Sequence, residues 1–247
     1  SSRKPIPLVE LREYELHPGD VNSYLKNTFA KADLRRSLTP LRLFTMPETG
    51  GTLNVATHIY HWAGGYEARN KGRAGMAASS EWKEYLKNVK GCMVRQRSTI
   101  FVEAPIVHKF EGVCGLKDGK LESILSKSGI NDDESDCIYE MRRYKLKLGY
   151  DTVPNFLRLY SEGLPSKLEA SGTDPSTSLI TLLYTEVGLL NEVIEIWRHG
   201  GGTTAMERSR LAARGAPEWR KAIGDIAGLA MEFTTTIHRP LPFSPMR

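Results

Sequence analysis

Two stretches of nine residues decide the fold, Leu8–Leu16 (LVELREYEL) and Ile138–Leu146 (IYEMRRYKL). At an offset of 130 residues they share four identical positions: Glu10/Glu140, Arg12/Arg142, Tyr14/Tyr144 and Leu16/Leu146. Each stretch alternates between two faces with period two, which predicts a β-strand. We therefore expect one structural module to occur twice in the chain.

The similarity continues beyond these strands at an offset of 137 residues. The matched positions there are Ile59-Tyr60 with Ile196-Trp197, Gly64-Gly65 with Gly201-Gly202, and Trp82 with Trp219. The offset changes where the two copies differ in loop length. Two clusters and a pair of aligned tryptophans indicate a duplication.

Each copy is predicted to run strand, helix, strand, strand, helix, strand. The first copy has predicted strands at 8–16, 41–45, 54–62 and 95–103, with helices after Asp20 and at 79–90; a turn is expected at Pro47–Gly51. The second has strands at 138–146, 179–185, 191–198 and 231–238, with helices at 151–162 and 217–230. This βαββαβ order is typical of the ferredoxin-like module. The predicted fold is α+β, with two tandem ferredoxin-like modules whose sheets cover each other as an intramolecular pseudo-dimer.

Four segments follow from this interpretation. Residues 1–7 are expected to be a short basic stub left by removal of an organellar leader, and 8–105 the first module. Residues 106–137 are expected to be an acidic, glycine-containing linker with a short helix at Leu121–Ser126, and 138–247 the second module. The linker is long for a plain connection, which leaves a partner-binding role open.

Composition excludes some classes of protein. The net charge is +5 and the pI about 9.0, but Lys and Arg are spread over both halves, and Arg35-Arg36 and Arg95–Arg97 are short groups that favour a solvated face. Nucleic-acid binding is therefore not expected. Three widely spaced cysteines favour a reducing compartment over disulfides or a zinc site. No apolar run approaches the ~18 residues of a membrane span.

Four motifs carry a family resemblance: Leu8–Tyr14, His58–Tyr66, Ile138–Tyr144 and Pro240–Pro245. In this order they resemble the NIPSNAP proteins over nearly the whole chain. Two departures stand out. Tyr60–Ala63 replaces the Trp-Arg-Tyr-Glu that tends to precede Gly-Gly-Tyr in the family, and Thr203 replaces the tyrosine after the glycines of the second copy.

The resemblance implies a dimeric α+β barrel and a mitochondrial protein of the matrix or the matrix side of the inner membrane. It also implies binding and scaffolding roles with protein partners, such as the subunits of a mitochondrial complex. Membrane association would be peripheral, through that complex. The family brings no established enzymatic activity, so no catalytic residue, metal or cofactor is expected from it.

The residues themselves offer one candidate ligand site, a polar cleft in the barrel formed by Glu10, Arg12, Glu140 and Arg142. Residues i and i+2 share a strand face, so each Glu-Arg pair can form a side-by-side ion pair. The functional interpretation is that the cleft binds an anion or a small acid. The structural alternative, which we favour, is an ion pair repeated because the module is repeated.

Other candidates have simpler explanations. His58, His61 and His199 could each give a single metal or haem ligand, but surface or strand-end histidines are favoured. Gly64-Gly65 is interpreted as a tight turn, since no phosphate-binding motif surrounds it. Trp82 and Trp219 are expected to anchor the core.

The functional prediction is a non-catalytic mitochondrial interaction or scaffold protein, with an accessory subunit of a respiratory-chain type assembly as the specific form. The alternative is a small-molecule-binding or monooxygenase-like enzyme that uses the interior of the barrel. A roomy pocket lined by the Glu-Arg pairs would favour this alternative.

Overall fold

The computed structural model describes residues 4–128 and 136–247. The chain divides into two compact units. The first holds the residues up to Val102 together with Arg239–Arg247, and the second holds Glu103–His238. These boundaries differ from those of the predicted modules, because the C-terminal residues belong to the first unit and the residues after Glu103 to the second.

The first unit contains four strands and four α-helices. In chain order they are β1 (Leu8–Leu16), α1 (Val21–Ala30), α2 (Ala32–Leu38), β2 (Leu41–Thr49), β3 (Val55–Trp62), α3 (Gly65–Ala78), α4 (Ser80–Val89) and β4 (Met93–Glu103). Strand β1 lies between β3 and β4 and pairs antiparallel with both, and β2 pairs with β3. The core contains aromatic side chains from strands and helices, among them Tyr24, Phe44, Tyr60 and Trp82.

The second unit repeats this order of strands. Its elements are α5 (Ile106–Lys109), α6 (Lys120–Ser128), β5 (Ile138–Leu146), α7 (Thr152–Leu168), β6 (Thr177–Val187), β7 (Glu192–His199), α8 (Gly202–Gly215), α9 (Pro217–Ala227) and β8 (Ala230–Pro240). Strand β5 pairs antiparallel with β7 and β8, and β6 pairs with β7. Phe156, Tyr160, Trp197 and Trp219 lie in its core.

The predicted fold class, α+β with two ferredoxin-like modules packed as an intramolecular dimeric barrel, is wrong. All eight strands belong to one closed barrel in the order β1-β3-β2-β8-β5-β7-β6-β4. The predicted modules are two open sheets whose faces cover each other. A closed barrel has no exposed edge strand, whereas each open sheet has two.

Several elements differ from the prediction. Helices α2, α3, α5 and α8 are not among the predicted elements, and the expected turn at Pro47–Gly51 overlaps β2, which continues to Thr49. The first part of the predicted linker packs onto the second unit: Val113 and Leu116 are buried, and Val113 forms a bridge with Leu179 of β6. The rest of the linker, residues 129–135, lies outside the described residues.

The shared glycine pairs have the same structural cause in both units. Gly65 and Gly202, the first residues of α3 and α8, have φ of +66° and +67°, in the left-handed region that favours glycine. A Cβ at either position would lie 2.9 Å from a backbone oxygen, that of Ile6 or Asp136. The close approach of the chain therefore adds to the backbone requirement.

Candidate functional site

The first predicted pair, Glu10 and Arg12, lies on the face of β1 that meets the helices. Glu10 is buried and accepts hydrogen bonds from Trp62 (3.1 Å), from Arg69 on α3 (3.0 Å) and from Ser98 (2.8 Å). The Nε of Arg12 lies 3.1 Å from Glu10 Oε1. Burial raises the pKa of Glu10, but Arg69, Arg12 and Ser98 outweigh it and hold the pKa below its ordinary value. Glu10 is therefore ionised and surrounded by donors.

The second pair, Glu140 and Arg142, has a similar environment on β5. Arg142 Nε donates to Glu140 at 2.6 Å, His199 Nε2 lies 3.3 Å from the same carboxylate, and Arg210 of α8 also contacts it. Burial raises the pKa of Glu140, while His199, Arg142 and Arg210 together lower it below its ordinary value. Both glutamates thus join a strand to a helix within their own unit, and a ligand role for the four residues stays a prediction.

The three histidines match the favoured surface or strand-end positions only in part: His199 is the last residue of β7, but none of the three is exposed. His58 of β3 and His199 of β7 are both buried, whereas His61 is half-buried. Thr177 lies 2.9 Å from His199 Nδ1, opposite the contact with Glu140. Among the residues that the structure describes, no group of three His, Cys, Asp or Glu side chains is placed to hold a metal ion.

A buried arginine that was read as part of a solvated basic pair forms the centre of the first unit. Arg35 of α2 is 2% exposed. Its guanidinium donates to the hydroxyls of Tyr60 (2.7 Å) and Tyr85 (2.8 Å). The ring of Trp82 lies 4.9 Å from the guanidinium carbon, within the range of a cation–π contact.

His58 completes this cluster. Its Nδ1 lies 3.1 Å from Arg35, and because a guanidinium can only donate, we assign Nδ1 as the acceptor. The ring proton then lies on Nε2, 3.3 Å from the hydroxyl of Tyr24. Burial and the charges of Arg35 and Arg12 lower the pKa of His58 well below its ordinary value, so the ring is neutral.

The charge of Arg35 is retained in this environment. Burial lowers the pKa of Arg35, but the phenol oxygens of Tyr60, Tyr85 and Tyr24 outweigh it and hold the pKa above its ordinary value. Burial raises the pKa of Tyr60 to about 12, so the phenol keeps its proton near neutral pH. Within the described residues, the hydrogen-bond partners of the Arg35 side chain are thus one imidazole and two tyrosine hydroxyls, with no carboxylate among them.

A cavity of about 600 Å³ opens beside Arg35 within the first unit. Its apolar lining comes mainly from α3, α4 and β4. Its charged lining residues are all basic: Arg12, Arg35, Arg73, Lys83, Lys87 and Lys90. No acidic side chain of the described residues lines it.

The second unit buries a cation at the corresponding place but neutralises it. Lys167 of α7 lies 3.8 Å above the ring of Trp197 and 4.4 Å above that of Trp219. Its ammonium donates to Glu195 at 3.2 Å, and Tyr144 donates to the other oxygen of the same carboxylate at 2.8 Å. Trp197 donates to Glu195 as well.

The strand register shows which residues correspond. Arg12 of β1 stands opposite His58 of β3, and Arg142 of β5 stands opposite Glu195 of β7. The neutral imidazole of the first unit therefore occupies the position that an anionic carboxylate holds in the second. A second cavity, of about 630 Å³, is lined by Lys167 and Arg142. Lys167 already forms an ion pair with Glu195 of the same unit.

An apolar surface lies elsewhere on the second unit, which we call the loop surface: Leu148, Tyr150, Leu189 and Leu190. Leu148 and Leu190 are 87% and 65% exposed, and Tyr150 is fully exposed. Leu148, Tyr150 and Leu190 border a groove of about 1160 Å³ whose lining includes Val153, Leu157 and Tyr184. Large exposed apolar side chains that surround a groove are typical of a binding surface.

Sequence reasoning missed Arg35, Glu195 and Lys167, although one signal was available. The 137-residue offset that aligns Ile59 with Ile196 also places His58 opposite Glu195. Such a change of charge at a shared position marks a place where the two copies differ in chemistry. Trp82 and Trp219 were expected in the core, and both are buried there, each against a cation.

Comparison with known proteins decides the family. Residues 9–107 match the family model described as NIPSNAP. This part of the chain belongs to the NIPSNAP family. Human NipSnap homolog 3A is 25% identical over 189 residues, which cover 76% of this chain and 65% of that protein. The family assignment from the sequence motifs is confirmed, and the chain spans just under two thirds of the length of the curated relatives that it matches.

Solved structures of other proteins share the fold. A proposed monooxygenase from Fusobacterium nucleatum superposes with a TM-score of 0.62 at 10% identity, and the match covers 97% of this chain and 94% of that protein. An anthrone oxidase-like protein gives a TM-score of 0.57 at 12% identity and covers 97% and 92%. At identities this low, the similarity shows a shared fold alone. No helix within the described ranges is long and apolar enough to cross a bilayer.

Proposed function

We propose that this NIPSNAP protein is a non-catalytic mitochondrial interaction protein, an accessory subunit of a larger assembly, and that its loop surface is the contact with a protein partner. The observation that carries the proposal is the exposure of Leu148, Tyr150 and Leu190 around one groove. An aromatic side chain with aliphatic neighbours around a concave surface is typical of the centre of a protein interface.

The charged groups of the two units support a binding role over acid–base catalysis. The buried carboxylates Glu10, Glu140 and Glu195 each have several donors, and the pKa of each lies below its ordinary value. A general acid or base works best with a pKa near the ambient pH. These three groups therefore suit the folding of the units better than proton transfer.

The mitochondrial location rests on the sequence resemblance to the NIPSNAP proteins. The monooxygenase-like alternative has only the fold likeness at 10–12% identity in its favour, which carries no reaction. We therefore do not propose it.

The test is native-gel migration of the full chain from mitochondria, with Leu148→Glu/Leu190→Glu as the variant and Leu211→Glu as the matched control. Leu211 lies on α8 and is 66% exposed, so the control adds the same charge outside the loop surface. We expect the unaltered chain and the control to migrate in a large complex and the double variant to migrate free. Circular dichroism checks that all three are folded.

Two results would contradict the proposal. Migration of the unaltered chain only as a free monomer would remove the assembly. Migration of the double variant in the complex would place the contact away from the loop surface. A photo-crosslinker at position 150 should also label a partner that the same crosslinker at position 211 does not.

A further inference from the structure

We infer that the cavity of the first unit binds an organic monocarboxylate, whose carboxylate pairs with Arg35 and whose apolar body lies along Trp82 and the methionines of the cavity wall. This is a small-molecule site, separate from the loop surface proposed for a protein partner. The inference rests on three observations: a buried cation without an anionic partner, a cavity beside it, and the contrast with the second unit.

The first observation is the unbalanced charge. A buried cation is costly unless an anion or a full set of acceptors compensates it. The partners of Arg35 are two phenols and one neutral imidazole, and within the described residues no carboxylate lies within ion-pair distance of it. Tyr60 cannot serve as an anion near neutral pH, because burial raises its pKa to about 12. A bound anion would supply the missing charge.

The second observation is that Arg35 lines the cavity of about 600 Å³. This volume is within the range of small-molecule sites. Trp82, Met76 and Met93 provide apolar walls, while Lys83 and Lys87 lie exposed on α4. An amphiphilic anion matches such a lining: its charged group meets Arg35, and its body replaces water on the apolar walls.

The third observation is the second unit, which contains its own anion. Glu195 lies opposite Arg142 in the second unit, as His58 lies opposite Arg12 in the first. The Glu195 carboxylate accepts a hydrogen bond from Lys167 at 3.2 Å. The same architecture is therefore neutralised internally in one unit and left open in the other. An external carboxylate in the first unit would supply, from the cavity beside Arg35, the negative charge that Glu195 supplies in the second.

The charge also selects the class of anion. Arg12 and Arg73 already face Glu10, at 3.1 Å and 3.9 Å. This leaves Arg35 as the buried cation to be neutralised. A carboxylate carries one negative charge, whereas a phosphate monoester carries about two near neutral pH. The site therefore fits a monocarboxylate better than a phosphate.

The test is calorimetric titration of the full chain with three molecules that share one tail: decanoate, decyl phosphate and decyltrimethylammonium, each kept below micelle formation. We expect decanoate to bind most tightly and the cation to show no binding at this site. The variant His58→Glu gives Arg35 the internal carboxylate that the second unit has. It should weaken decanoate binding by about tenfold or more, the scale of one charge-assisted hydrogen bond.

His17→Glu is the matched control, since His17 is exposed in the same unit; it should bind decanoate as the unaltered chain does. Equal binding of decanoate and decyltrimethylammonium would overturn the inference, because it would show an apolar groove without charge selection. Tighter binding of decyl phosphate would overturn the monocarboxylate class. If His58→Glu does not fold, the ligand series on the unaltered chain still decides the inference.

Discussion

Replacement of Glu195 by glutamine tests how the second unit neutralises its buried lysine. Glutamine keeps the shape of the side chain and one carbonyl acceptor, so the main change is the loss of the negative charge. Glu195 accepts from Tyr144 and Lys167 and lies 3.8 Å from Arg142. Without it, the buried Lys167 and the partly buried Arg142 are left with Glu140 as the remaining carboxylate.

The expected loss is about 3–5 kcal/mol of unfolding free energy at neutral pH, the cost of removing one partner of a buried ion pair. Urea denaturation of the full chain, followed by the fluorescence of the tryptophans, measures it; Trp197 and Trp219 directly contact Lys167. The double variant Glu195→Gln/Lys167→Met should be more stable than Glu195→Gln alone, because it removes the orphaned charge. A loss below about 1 kcal/mol, the size of an exposed ion pair, would refute the reasoning.

Two further predictions concern the same unit. Gly163→Ala should lower the unfolding free energy by about 1–3 kcal/mol, because a Cβ there would lie 2.5 Å from the Cβ of Ala222 and push α7 away from α9. The control is Gly224→Ala, where a Cβ would meet nothing within 4 Å; it should be neutral or stabilising by up to about 1 kcal/mol. Burial lowers the pKa of Lys167 from 10.5 to about 8, although the charge of Glu195 opposes this shift. Between pH 8 and 10.5 the unfolded chain therefore binds more protons than the folded chain, and stability rises with pH. Urea denaturation at about pH 8 and about pH 9.5 measures this effect. Relative to Lys167→Met, the unfolding free energy of the unaltered chain should rise by about 2 kcal/mol between these pH values. An unchanged difference between the two proteins would contradict the lowered pKa.

The strands could be predicted because their signal is local. β1 and β5 have the predicted bounds, since their alternating pattern is set by one buried face. Helix α3 has a weaker signal. Among the residues of α3 only Gly65 is buried, so hydrophobic periodicity cannot find the helix.

Closure of the barrel and the burial of Arg35 could not be predicted, because both depend on contacts between distant parts of the chain. Sequence spacing does not say which edge strands pair. Arg35 lies beside Arg36, and such a pair is usually solvated; its burial follows from residues 25, 47 and 50 positions away, Tyr60, Trp82 and Tyr85. The contact of each of Glu10 and Glu140 with the arginine two residues later was easier to predict, because residues i and i+2 of a strand share a face.

The central claim is that the first unit leaves a buried cation for an external carboxylate, whereas the second unit supplies its own carboxylate. The most direct test is an anomalous-scattering map from crystals soaked with ω-bromodecanoate. We predict a bromine peak in the cavity of the first unit, with the carboxylate within ion-pair distance of Arg35, and no peak beside Lys167. Bromine beside Lys167, or its absence beside Arg35, would contradict the account.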